Sequence, residues 1–163
     1  MTRASNWTVG LIFILSTALW GCAPADTGIH PPEIAYGQDV SEGCGMIISD
    51  PAFATASLLE DGTAYKFDDL GDMLKYHFER PDKTVAQYFV HDYHTQEWLT
   101  ADDAVFVQSA SLVSPMGYGL AAFATREAAE AFASEREGQV WDLNDVKLYV
   151  HEVAHGSGHV SMP

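Results

Sequence analysis

Cys44 and Met46 stand either side of Gly45 in the run "EGCGMIISDP", residues 42–51. A thiolate and a thioether are soft donors, and soft donors select Cu(I), whereas carboxylate, carbonyl and water oxygens suit Mg and Ca. Glycine between them lets the backbone turn so that both sulfurs face one point. In an extended segment residues i and i+2 share a face in any case. Cys and Met are also ordinary core residues, so this spacing alone leaves burial open as the other reading. A third sulfur adds weight to the metal reading. In "SPMGYG", Ser114 to Gly119, Met116 lies between proline and glycine, in a loop and off any apolar period. Met73 and His77 share a helical stripe with Leu70, Leu74 and Phe78 and read as core. His91, Asp92 and His94 read as solvated turn residues. The C-terminal "HEVAHGSGHVSMP" holds His151, His155, His159 and Met162, with Gly156 and Gly158 arguing for a flexible tail. That tail is either a loose copper scavenger or an unstructured end.

What a lone thiol can do depends on its compartment. Arg3 and the amino terminus precede an apolar run from Val9 to Leu19, too short for a membrane span, which needs about 20 residues, and suited to the core of an export signal. Leu19, Trp20, Gly21 and Cys22 close it, and this order resembles the lipobox of bacterial lipoproteins. That resemblance implies a thioether-linked diacylglyceryl group on Cys22 and a membrane anchor facing the periplasm, on the outer membrane. The alternative is an ordinary secretory peptide cut elsewhere, such as before Asp26. With Cys22 lipidated, Cys44 is the one thiol of the mature chain. In an oxidising compartment a lone thiol calls for a reason: burial, pairing with another chain, or chemistry on the thiolate.

The 163 residues carry 8 Lys and Arg against 23 Asp and Glu, a formal net charge of −15. So acidic a chain is a poor partner for nucleic acid or for anionic lipid, and suits cations and basic surfaces.

The elements that must position these sulfurs follow from periodicity and turn residues. Residues 1–21 are read as the signal, 22–42, with Pro31 and Pro32, as the lipidated cysteine and a tether, 43–150 as the folded domain, and 151–163 as the tail. Within the domain, Ala52 to Leu59 and Thr63 to Phe67 read as strands joined by Asp61-Gly62. Asp68 or Asp69 caps a helix that Pro81 ends, and Val85 to Val90 is a strand. The order then repeats: strands at Ala104 to Val107 and Tyr118 to Phe123, a helix capped by Thr125 and ended by Gly138, and a strand at Val146 to Val150. The expected fold is α+β, two similar ββαβ units of about 43–100 and 101–150.

Three segments together, "CGMIISDPAFATASLLEDGTAYKFDDLGDMLKY", "HDYHTQEWLTADDAVFV" and "SPMGYGLAAFATREAAEAF", resemble the NosL family of lipoprotein accessory factors of nitrous oxide reductase. The resemblance runs from about Cys44 to about Leu148. It implies paired ββαβ units similar to organomercurial lyase, binding of Cu(I), and delivery of copper to the multinuclear centres of apo nitrous oxide reductase together with a dedicated ABC transporter. Carried over by position, the metal ligands are Cys44, Met46 and Met116. Where many members carry a second Cys or a His just upstream of C-G-M, this chain has Ser41, Glu42 and Gly43, so no ligand transfers there. Two other readings stand beside the carrier: a thiol-dependent enzyme on a lyase-like fold, and a structural lipoprotein with Cys44 buried. An enzyme cleaving carbon–metal bonds would call for a second thiol or an acid to protonate the leaving carbanion.

Overall fold

In the computed structural model, residues 28–156 are described. The signal, Cys22, the first part of the tether, His159 and Met162 lie outside the described residues.

Two sheets with the same internal order are built by two successive ββαβ units. In the first, β1 (Thr55–Leu59) and β2 (Ala64–Phe67) form the hairpin that Asp61-Gly62 signals, with Gly62 at φ 85°. α1 (Leu70–Phe78) crosses, and β3 (Val85–His91) returns antiparallel to the other side of β1. A short β4 (Trp98–Thr100), which periodicity did not mark, extends the order to β2-β1-β3-β4. In the second unit β5 (Val105–Gln108) sits between β6 (Leu120–Phe123) and β7 (Gln139–Trp141), with α2 (Arg126–Arg136) between β6 and β7. In both units the first strand is central and the strand after the helix takes its free edge.

The two sheets share one core. Phe67, Met73, Leu74 and Val90 of the first unit pack in the same cluster as Phe106, Leu120 and Val146 of the second. Asp92 ties the units at the backbone: its Oδ2 accepts from the Ala124 amide at 2.7 Å, while Tyr93 N–H donates to the Ala122 carbonyl at 2.8 Å. His91 and Asp92 are therefore buried residues, not solvated turn residues; only His94 of the three is exposed.

Two further expectations are corrected. Val146 to Val150 is helical, within α3 (Leu143–Ala154), and the edge strand of the second unit is β7. Asp142 caps α3 through the Asn144 and Asp145 amides, and Leu143, Val146 and Val150 recur at helical spacing and are buried. α3 also takes in His151, so the C-terminal tail does not begin there. At the other end, residues 34–42 belong to the domain. Ile34 is buried against Ile48, Ala54 and Trp98, Val40 pairs with Ile47, and Lys66 holds Asp39 at 2.7 Å. One buried apolar side chain, the buried Ser41, an ion pair and a few backbone bonds anchor that stretch, so it has no apolar period to detect.

Candidate metal centre

Ser41 to Met46 forms the tip of a tight turn. Ser41 N–H donates to the Met46 carbonyl at 2.7 Å, Gly45 N–H to the Ser41 carbonyl at 3.0 Å, and Glu42 N–H to Lys66 of β2 at 2.9 Å. Gly45 sits at φ 75°, a conformation that side chains rarely adopt. The turn lies against the N-terminal end of α1. Asp72, in the first turn of that helix, accepts from Ser41 Oγ at 2.9 Å and from the Cys44 amide at 3.0 Å through the same Oδ2. A Cβ at Gly43 would overlap the Asp72 carboxylate, so a side chain there would have to displace it from Ser41 and Cys44. The Cys44 thiol donates to Asp68 Oδ1 at 3.4 Å. One ligand atom from each of Cys44, Asp68 and Asp72 therefore lies within 4.8 Å of the others.

The loop carrying Met116 reaches the same helix end from the second unit. Asp69 is the N-cap of α1: its Oδ1 accepts from the Gly71 amide at 2.6 Å. Its Oδ2 accepts from Ser114 Oγ at 2.7 Å and from the Met116 amide at 3.2 Å. Tyr118 lies over Gly71 so closely that a Cβ at position 71 would enter its ring. Gly117 and Gly119 both take positive φ, which turns the loop back into β6. Three aspartates at the start of α1, Asp68 before the cap, Asp69 as the cap and Asp72 in the first turn, thus hold two loops from two units. Both methionines remain partly in solvent, Met46 at 45% and Met116 at 37% exposure, unlike Met73, which is fully buried on α1. Cys44 is partly exposed.

The electrostatics keep the sulfur protonated in the metal-free protein. Burial raises the Cys44 thiol above its ordinary pKa; hydrogen bonds from the Met46 backbone and Ser41 oppose it, and the charges of Asp72 and Asp68 add smaller rises. Burial is also the chief cause that raises the Asp68 and Asp69 carboxyls. The site offers a soft sulfur wrapped in negative potential, suited to exchanging a proton for a cation.

A model of the NosL family matches residues 34–150. The chain belongs to the NosL family. Its fold is similar to the crystal structure of the copper chaperone NosL from Shewanella denitrificans, with a TM-score of 0.58 and 22% identity over 71% of this chain and 96% of that one. Among curated proteins none matches the chain. The NosL match begins at Ile34, the first buried residue of the stretch that had read as tether.

Of the sequence candidates, the turn of Cys44 and Met46 and the loop of Met116 are both brought to the start of α1. His77 lies elsewhere, on the sheet side of that helix, bonded through Nε2 to Ser57 Oγ at 2.8 Å. None of the three aspartates was foreseen as a site residue: Asp68 and Asp69 were read only as alternative caps, and Asp72 was not singled out. The signal was present as "DDLGD", three acids within five residues where one suffices to cap a helix.

Proposed function

We propose that this protein is a copper carrier that binds Cu(I) through the Cys44 thiolate and the Met46 and Met116 thioethers. It hands the metal to the copper centres of apo nitrous oxide reductase, working with an ABC transporter from a lipid anchor on Cys22 at the periplasmic face of the outer membrane. The observation that carries the reading is the convergence of the two sulfur-bearing loops on one helix end, supported by the NosL family match. Thioether and thiolate donors suit a soft monovalent ion, and the partly exposed methionines leave room for an acceptor's ligand to enter. Asp68 and Asp72 supply the field for a cation, since carboxylates are poor direct ligands for Cu(I). A catalytic thiol would need its pKa lowered by a base or a cation; the carboxylates around Cys44 do the reverse, which disfavours the enzyme reading.

Competition against a chromogenic Cu(I) chelator tests the assignment. Cys44→Ala should lose most of the affinity, and Met116→Ala should weaken it by a few kcal/mol at most, because a thioether tunes a site that a thiolate creates. X-ray absorption of the Cu(I) form should lose one sulfur in Met116→Ala. Retention of tight Cu(I) binding by Cys44→Ala would overturn the site.

A further inference from the structure

The end of α3 carries two imidazoles that the sulfur site does not use. His151 and His155 are one helical turn apart, and their rings stack with centroids 4.2 Å apart and planes 24° from parallel. Both side chains are exposed. His155 Nδ1 lies 2.9 Å from the His151 carbonyl oxygen. That oxygen can only accept, so Nδ1 carries a proton, and in the neutral ring Nε2 is then the nitrogen left to ligate, the arrangement that orients a ligating histidine. His151 is steadied from α1, where Phe78 meets its ring edge-on at 5.6 Å between centroids. The C-terminal end of a helix also presents unpaired carbonyls with partial negative charge, which favours a cation there. Glu79, the C-cap of α1, adds a carboxylate whose acidity responds, after Lys75 and Arg80, to His155.

We propose that His151 and His155 form a second metal site that takes Cu(II) through two imidazole nitrogens, apart from the sulfur site at the far end of α1. The nine residues of α1 place the two ends of that helix on the order of 13 Å apart. Imidazole suits Cu(II) and Zn(II) alike, and for a given nitrogen site Cu(II) binds more tightly. Residues 151–155 also have the H-E-x-x-H form, which in metallopeptidases sets two histidines on one helix face for zinc with the glutamate as base. Here the motif closes a helix on an open face with Glu152 half-exposed, so the pair holds a metal without forming a catalytic cleft. With two protein ligands, water fills the remaining positions and the ion exchanges readily. The two oxidation states of copper would then meet the protein at opposite ends of one helix.

The test uses the full chain carrying Cys22→Ser and Cys44→Ala, so that no thiol can reduce Cu(II). Titration with Cu(II) followed by electron paramagnetic resonance should show one equivalent bound with nitrogen hyperfine structure. His155→Gln added to this background should weaken binding by about tenfold or more, because it leaves one imidazole without the effective concentration of its neighbour. His151→Gln should do the same, Zn(II) should compete poorly, and His159→Gln should change nothing. Both residues are exposed, so circular dichroism should be the same for all variants. Cu(II) binding that survives both His151→Gln and His155→Gln, or is lost only in His159→Gln, would overturn the proposal. Neither result bears on the sulfur site, which is read separately by Cu(I) competition in chains that keep Cys44.

Discussion

At the scale of single residues, the contact between Cys44 Sγ and Asp68 bears on how a metal would enter the proposed site. A thiol donating to a carboxylate can exchange its proton for a monovalent cation with no change in the local charge. Because burial and then the neighbouring carboxylates hold the thiol pKa high, uptake of Cu(I) should release close to one proton at neutral pH. Asp68→Asn removes one of those negative charges, and the Cys44 pKa should fall. Iodoacetamide labelling of the metal-free protein reads this directly: the pH midpoint should move down and labelling at pH 7 should speed up several-fold. An unchanged profile would mean that Asp68 does not face the thiol in solution. The carboxylate could not be assigned to the thiol from the sequence, since nothing in the order of residues 44 and 68 tells which face of α1 the turn will meet. That Cys44, Met46 and Met116 lie in loops off the apolar core was legible, because their types and positions are odd for packing.

At the scale of elements, Asp69 serves two structures with its two oxygens. Oδ1 caps α1, and Oδ2 holds the loop of Met116 through Ser114 and the backbone. Removing an N-cap costs about 1 kcal/mol, and leaving buried donors unpaired costs about 1–3 kcal/mol more. Asp69→Ala should therefore destabilise the protein by roughly 2–4 kcal/mol in urea unfolding, and Cu(I) affinity should fall although no sulfur has been touched. A variant with normal Cu(I) affinity would show that the loop finds its place without Asp69. Helix α1 was legible because its cap, apolar stripe and Pro81 agree. Helix α3 was not: "VKLYV" is rich in strand formers, and the decisive signals, the Asp142 cap and the burial of Leu143 ahead of Val146 and Val150, appear only when the window starts earlier. The repeat itself was legible through the spacing from a strand-ending phenylalanine to a helix cap, Phe67 to Asp69 and Phe123 to Thr125.

At the scale of the whole molecule, the end of α1 proposed to face copper is only as well placed as the packing of the helix on the first sheet, and His77 sits in that packing. Its ring lies among Tyr65, Phe67, Tyr76 and Tyr88, with Nε2 on Ser57 of β1 and Nδ1 buried without a hydrogen-bond partner. The apolar stripe placed His77 in the interior, but periodicity could not say that one ring nitrogen would be unpaired. Burial, and then the charges of Lys83 and Arg80, lower its pKa from 6.5 to about 4. The folded protein therefore binds this proton less readily than the unfolded chain. Its contribution to stability is complete above pH 6.5 and is lost as pH falls from there toward 4. Asp68 and Asp69, whose carboxyls are raised, act in the opposite sense on acidification, so the His77 contribution is read as a difference between proteins. A depression of that size corresponds to a loss of about 3 kcal/mol, relative to neutral pH, once the pH lies below about 4. His77→Gln keeps a polar partner for Ser57 and does not titrate. Urea unfolding at pH 7, 6 and 5 should show the wild-type protein losing stability relative to His77→Gln, with a slope approaching about 1.4 kcal/mol per pH unit below 6. Parallel curves for the two proteins would mean that His77 is solvated or proton-paired in solution. A wild-type excess loss would make acidification loosen α1 from the first sheet, and with it the helix end that holds both sulfur loops.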